Sequence, residues 1–324
     1  LKTRIALTLI CVALAAACVR AQSQAPPEPD EAARLNAEVL RLFRAGKYEE
    51  ALPLAKRVLE AREKSPGAGQ RQLADALFNL GAIEQQAGRL KESEGYYKRA
   101  LPLYEKLGDG AAEQRAQTLD ALAGMEHDLA KAVVLRERSL ELREKLYGAE
   151  SPKVAPSLFA LAHLVELSEK FDRAEKLFAR FAAVSEKARP EGAETGVAYM
   201  RLGCLLEKRK KGAEAGEYEA RALKIFEAGG LVEKGSLEAD VKHKPPPGYP
   251  FEAGRPRVTG TVEVRVLVGE NGGVLSACAT SGPEKLRSSS EYAAYNVFFK
   301  PPVAAGKPAK LWGTIVYNYK VEFH

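Results

Sequence analysis

Side chains that could do chemistry are few and scattered in this sequence. His127, His163 and Glu166 could meet on neighbouring helices, and imidazole with carboxylate is a credible donor set for a divalent metal. No helix carries two histidines four residues apart, so the trio reads as ordinary surface residues, and neither a metal nor any other cofactor is expected. Cys11, Cys18, Cys204 and Cys278 show no Cys-x-x-Cys spacing. The last two fall in different segments and are expected as small buried residues, with a disulfide open to them if the protein is exported. Gly67, Gly69, Gly272 and Gly273 sit in turns without the lysine and serine that phosphate binding needs downstream. There is no nucleophile elbow and no His-Glu-x-x-His. The chemistry points to a binding protein, not an enzyme.

What would position a binding surface is a set of repeats. Gly46-Lys47-Tyr48-Glu49-Glu50-Ala51 returns 42 residues later as Gly88-Arg89-Leu90-Lys91-Glu92-Ser93. Leu80-Gly81, Leu122-Ala123, Leu161-Ala162 and Leu202-Gly203 mark a first helix in successive units. Ala51, Ser93, Ala132, Ala174 and Ala215 mark a second. Leucine and alanine at three- and four-residue steps give each helix one apolar stripe, and small residues let the paired helices approach. One such hairpin cannot bury its stripe alone, so neighbours must stack. Five units are counted, centred on Gly46, Gly88, Leu129, Lys170 and Lys210; the third has lost three residues in its turn, and Val39 replaces the small residue of the first.

The chain has 324 residues, 28% of them charged, and a net charge of +6. Basic and acidic residues alternate, as in Arg136-Glu137-Arg138, which describes solvated helix faces and excludes a nucleic-acid footprint. Lys2 and Arg4 precede an apolar run, Ile5 to Val19, too short for a comfortable membrane span. The run reads as a signal peptide over residues 1–21, cut after Val19-Arg20-Ala21, with residues 22–31 as a loose segment. The alternative is a lipoprotein anchored at Cys18 within Leu14-Ala15-Ala16-Ala17-Cys18. A periplasmic location is expected, with membrane contact only if Cys18 is lipidated or the leader is retained.

Residues 32–230 resemble tetratricopeptide repeats of the 42-residue kind found in kinesin light chains. Leu146-Tyr147-Gly148-Ala149-Glu150-Ser151-Pro152 is similar to the linker between repeats of that type. The resemblance implies a concave groove lined by first helices. Its positions here are Asn36, Arg44, Phe78, Gln85, Gln86, Asp120, His127, Phe159, His163, Glu166, Met200 and Glu207. A mixed polar and aromatic lining suits an extended peptide or a helix.

After residues 231–247, read as a linker ending in Pro245-Pro246-Pro247, the apolar period changes to two. Val262, Val264, Val266 and Val268 share one face of a strand; Glu270-Asn271-Gly272-Gly273 signals a hairpin turn; a second strand runs from Val274 to Thr280. A helix from Pro283 to about Asn296 and a last strand from Trp312 to Phe323 complete a ββαβ order. Tyr249-Pro250, Gly260-Thr261-Val262-Glu263-Val264, Asn271-Gly272, Phe299-Lys300-Pro301 and Gly306-Lys307-Pro308 resemble the TonB C-terminal domain, with Ser289 and Ser290 for the usual alanines and Val297 for a common tryptophan. The fold class is thus α+β: an all-α hairpin solenoid, then a small ββαβ domain over residues 248–324. Such domains add a segment of an outer-membrane transporter as a strand to a sheet edge. The resemblance puts that edge at Ile315, Val316, Tyr317, Asn318 and Tyr319. The expected function is an exported envelope adaptor for protein partners, an outer-membrane transporter among them. The alternatives are an energy transducer with an uncleaved anchor or a purely structural envelope protein.

Overall fold

A computed structural model describes residues 31–64, 69–249 and 258–320. The signal peptide, Cys18, the loose segment up to residue 30, Gly67, Pro250, Val321 and Phe323 lie outside them. The chain divides into two compact units, one ending at Met125 and one beginning at Glu126.

The first unit holds α1 (Glu31–Arg44), α2 (Tyr48–Lys64), α3 (Gln70–Gln86), α4 (Leu90–Lys106) and α5 (Ala112–Met125). Ala51 and Ser93 are fully buried at the close approach within each hairpin, and Ser93 Oγ donates to the Gly81 carbonyl at 2.8 Å. A Cβ on Gly81 would stand 3.0 Å from the Tyr97 ring, which is why the position after Leu80 must be small.

The second unit begins with α6 (Leu129–Tyr147), α7 (Ala155–Leu167), α8 (Phe171–Ala188), α9 (Ala193–Lys208) and α10 (Gly212–Ala228). The unit boundary falls at the shortened turn of the third repeat, where Asp128 caps α6 by accepting from the Ala130 and Lys131 amides. Ala132, Ala174 and Ala215 are buried as the pattern requires. α9 departs from an amphipathic helix: of Thr195–Leu206 only Val197 is not buried. A helix closed on all sides has lost its solvent face to another layer.

That layer is the C-terminal sheet. Its strands are β1 (Leu231–Ser236), β3 (Gly260–Val268), β4 (Val274–Ala279) and β8 (Lys310–Tyr319), in the order β1-β8-β3-β4. Short pieces β2 (Val241–His243), β5 (Phe298–Phe299), β6 (Val303–Ala304) and β7 (Lys307–Pro308) form two small ladders beside it. Val262, Val264, Val266 and Val268 pack with Ile315, Tyr317 and Tyr319 against Leu286, Ala293 and Ala294 of α11 (Glu284–Tyr295). Leu267 and Trp312 belong instead to the core of α7–α10. The period of two therefore serves both faces, and the sheet is the middle of three layers. Ser290, in place of alanine, is satisfied by the Leu286 carbonyl and the Tyr319 hydroxyl.

Residues 231–247, expected as a linker, are corrected to part of this domain. β1 pairs parallel with β8, and Leu237 after it is fully buried. The last strand would otherwise carry an unpaired edge, and the passing chain covers it. Glycine and charge in Leu231-Val232-Glu233-Lys234-Gly235-Ser236 hid the strand. The close fit depends on Gly313, where a Cβ would come within 2.3 Å of the Lys234 carbonyl oxygen and 2.6 Å of Leu237 Cδ2. Gly313→Ala should therefore lower stability by about 1–3 kcal/mol, read from denaturant midpoints, because the obstacle is backbone and not a flexible side-chain end.

Candidate protein-binding surfaces

Repeat register identifies the unusual positions of the second unit. The residue before each leucine–small pair is Asn79, Ala121, Ala160 and then Arg201; the residue after it is Ala82, Gly124, His163 and then Cys204. Positions that are uncharged earlier thus carry an arginine and a cysteine in α9, and both reach the C-terminal domain.

Arg201 is 1% exposed. Its Nη2 donates to Glu166 of α7 at 2.5 Å and its Nη1 to the Ala277 carbonyl of β4 at 2.6 Å. Lys208 Nζ bridges Glu166 at 2.8 Å and Glu291 of α11 at 2.5 Å. The other Glu291 oxygen accepts from the Ala279 amide at 2.7 Å. Two cations and two carboxylates balance, and each is paired, as buried charges must be. The guanidinium also lies 5.5 Å from the Phe178 ring centroid and 5.7 Å from that of Tyr295. One turn along α9, Cys204 is disulfide-bonded to Cys278 of β4, with their Cα atoms 5.7 Å apart. The two cysteines are thus a bridge between repeats and sheet, where the sequence favoured free buried thiols. At the margin Arg265 of β3 pairs with Glu207 at 3.2 Å and with Glu219 of α10. Both sulfurs are committed to each other and Glu291 to Lys208 and Ala279, so their proximity leaves no free donor set for a cation.

The expected groove positions divide between the units. In the first, Asn36 accepts from Asn79 Nδ2 at 3.1 Å, Gln85 accepts from the Tyr97 hydroxyl at 3.2 Å, and Phe78 stands edge-on to Tyr97 and Tyr104. Arg44 and Gln86 are exposed, and Asp120 is half-buried on α5. In the second unit His127 is exposed in the turn before α6. Phe159 lines an apolar pocket of about 300 Å³ with Ala155, Pro156, Phe181, Val197 and Leu275. The remaining four face the C-terminal domain: His163 stacks edge-on against Tyr295 at 5.6 Å, Glu166 enters the buried cluster, Met200 joins the core that includes Trp312, and Glu207 pairs with Arg265. His163 Nδ1 is 3.9 Å from Glu166, whose carboxylate is already taken by two cations.

The expected sheet edge is covered as far as Val316. Ile315, Tyr317 and Tyr319 are buried, Val316 is half-buried and Asn318 is exposed. β1 covers β8 as far as Thr314; beyond it Glu238 accepts from the Val316 amide at 2.8 Å and Lys244 Nζ donates to the Val316 carbonyl at 2.7 Å.

Burial alone would raise the Glu166 pKa, but Arg201 and Lys208 more than offset it and hold the carboxyl below the ordinary range. Burial lowers the Lys208 pKa, and Glu291 with Glu166 raises it further than that, so the net shift is upward. A depressed folded-state pKa at Glu166 means stability that is complete above the unfolded value and lost as pH falls towards the folded one. Acidification from about pH 5 to pH 3 should lower the denaturation midpoint more steeply in the wild type than in Glu166→Gln. Equal slopes would remove Glu166 as the titrating group.

Sequence comparison matches the tetratricopeptide repeat family at residues 30–106 and 114–187, and the Gram-negative bacterial TonB protein C-terminal family at residues 245–321. The α9–α10 pair lies between the matched stretches. Similar solved structures include BtubC (BKLC) from P. vanneervenii, at 19% identity and a TM-score of 0.53 over 60% of this chain and 79% of that one. A putative kinesin light chain with nearly identical TPR-like repeats, from Podosopora anserina, gives 19% and 0.52 over 60% and 96%. The apo form of RapI gives 15% and 0.54 over 65% and 57%. At these identities the likeness is one of fold. No curated protein sequence matches the chain.

Proposed function

Because the chain joins a tetratricopeptide-repeat solenoid to a TonB-like C-terminal domain, we propose that it is an exported adaptor of the cell envelope that holds a protein partner on its first repeats. The observation that carries this reading is the division of the groove positions. His163, Glu166, Met200 and Glu207 are taken up by the C-terminal domain, while Arg44 and Gln86 of the first unit are exposed. Asn36, Asn79, Gln85 and Gln86 can each donate to and accept from a peptide backbone, and Phe78 offers apolar contact beside them. The β8 edge of the TonB-like sheet is occupied by β1, Glu238 and Lys244, so the first repeats are the partner surface in this reading. Export is supported by the leader-like N-terminus and by the Cys204–Cys278 bridge, since stable disulfides belong to oxidising compartments.

A photo-crosslinking amino acid at Gln86, with Lys98 on α4 as control, tests the groove in the intact protein in cells. An adduct with an envelope protein from Gln86 alone is the expected result. Equal adducts from both positions, or none from Gln86, would count against the adaptor. A periplasm-dependent phosphatase fused after His324 tests export separately and should be active.

A further inference from the structure

Val197 is the one position of Thr195–Leu206 that the sheet and the neighbouring helices leave unburied, and it faces the apolar pocket of about 300 Å³. Three consecutive helices and one strand build that pocket. Ala155 and Pro156 at the start of α7 form one wall, and Ala193 and Val197 at the start of α9 form another. Ala155 and Phe159 are four residues apart, as are Ala193 and Val197, so each pair shares a helix face. Phe181 of α8 has its ring centroid 5.4 Å from that of Phe159, at an interplanar angle of 55°, which makes an aromatic wall. Leu275 of β4 supplies the last side and packs on the same core as Trp312. The pocket therefore belongs to neither the repeats nor the TonB-like domain alone. Among the described residues Glu194 is the one charged side chain in its lining. It is exposed, and no ion pair or hydrogen bond occupies its carboxylate among those residues.

We propose that this pocket binds a small aromatic amine, its rings held between Phe159, Phe181, Val197 and Leu275 and its ammonium at Glu194. Size sets the body of the ligand. A dry apolar cavity of about 150 Å³ takes one benzene ring, so twice that volume takes about two fused rings. Two phenylalanine rings in the wall favour an aromatic body, which they meet by edge and offset contacts. Charge sets the other end. An ammonium at the mouth meets the unpaired Glu194, whereas a carboxylate or phosphate meets a like charge and no basic residue in the lining. Because Leu275 comes from the sheet and the other walls from the repeats, such a ligand binds only their docked arrangement and stabilises it. This site goes beyond the adaptor reading, since it needs no protein partner.

The probes are three naphthalenes of one size, naphthylmethylamine, naphthalenemethanol and naphthoate, titrated by calorimetry into the full oxidised chain near neutral pH. The amine should bind with a Kd of about 1 mM or tighter, a modest value for a ligand of this size. It should bind at least about fivefold more tightly than the carboxylate, with the alcohol between them. Glu194→Gln should bring all three within about twofold of one another, at the affinity the alcohol has for wild type. Val197→Trp fills the pocket and should abolish binding of all three. If that variant loses cooperative unfolding, Ala193→Trp replaces it, because Ala193 is exposed at the mouth. Leu275→Ala should weaken the amine by about threefold or more, as the loss of apolar contact from the sheet requires. Absence of amine binding, equal affinity for amine and carboxylate, or binding that survives the tryptophan overturns the proposal. A failed crosslink at Gln86 leaves this result untouched, and failure of the amine leaves the groove reading untouched.

Discussion

Arg201→Met should destabilise the second unit by about 3–5 kcal/mol, the usual loss when one member of a buried ion cluster is removed. Methionine keeps most of the stem volume and deletes the charge, so packing alone explains little of the effect. What remains is Glu166 with Lys208 as its only cation, and an Ala277 carbonyl at the sheet edge without its donor. Unpaired groups of this kind carry their full desolvation cost. Replacing the pair together separates that cost from the worth of the interaction. Glu166→Leu with Arg201→Met removes both orphaned charges and should be less destabilised than Arg201→Met alone. Trp312 is the chain's only tryptophan and is buried between the sheet and the repeats, so its fluorescence in a guanidinium titration reports this interface directly. A loss below about 1 kcal/mol, the scale of an exposed ion pair, would contradict the structure's account of the cluster.

The cluster also marks where sequence reasoning stopped. The repeats were legible because their signal is local: a leucine–small pair in the first helix and a small residue in the second fix each hairpin by contacts within one unit. The ββαβ order was legible for the same reason, since the alternating valines of β3 and the Asn271-Gly272 turn need no distant partner. The face of α9 turned towards the sheet was not. Taken alone, Arg201 and Lys208 look like solvated charges and Cys204 like a small buried residue, and only the register that aligns Arg201 with Asn79, Ala121 and Ala160 shows a change of environment. Groove positions carried over from the repeat pattern assumed an open concave surface. Four of those in the second unit meet the protein's own C-terminal domain instead, because the sheet that the same chain brings to this end of the repeats covers them. β1 was missed for a different reason: Lys234, Gly235 and Ser236 lower strand propensity, and the strand exists because β8 has an edge to pair with.

Breaking the Cys204–Cys278 bond should lower stability by about 4 kcal/mol, since the bridge spans a sequence separation of 74 residues and removes the corresponding freedom from the unfolded chain. The comparison is a guanidinium titration of the wild type with and without a dithiol, beside Cys204→Ala with Cys278→Ala, which should ignore the reductant. A loss under about 1 kcal/mol would mean that docking survives on packing and charge alone and that the bridge adds little. Coupling with Arg201→Met then tells how the bridge acts. If it works only through the unfolded chain, the cost of losing Arg201 is the same with the bond open or closed, and the two effects add. If it also holds β4 against α9, opening the bond lets the sheet edge move away from the Glu166 cluster. The Arg201 cost then shrinks in the reduced protein, because the Ala277 carbonyl can reach water. Arg201 and Cys204 are one turn apart on the same face of α9 and reach residues adjacent in β4. That closeness favours the second case: a shortfall from additivity of about 0.5–3 kcal/mol, the range for residues in direct contact.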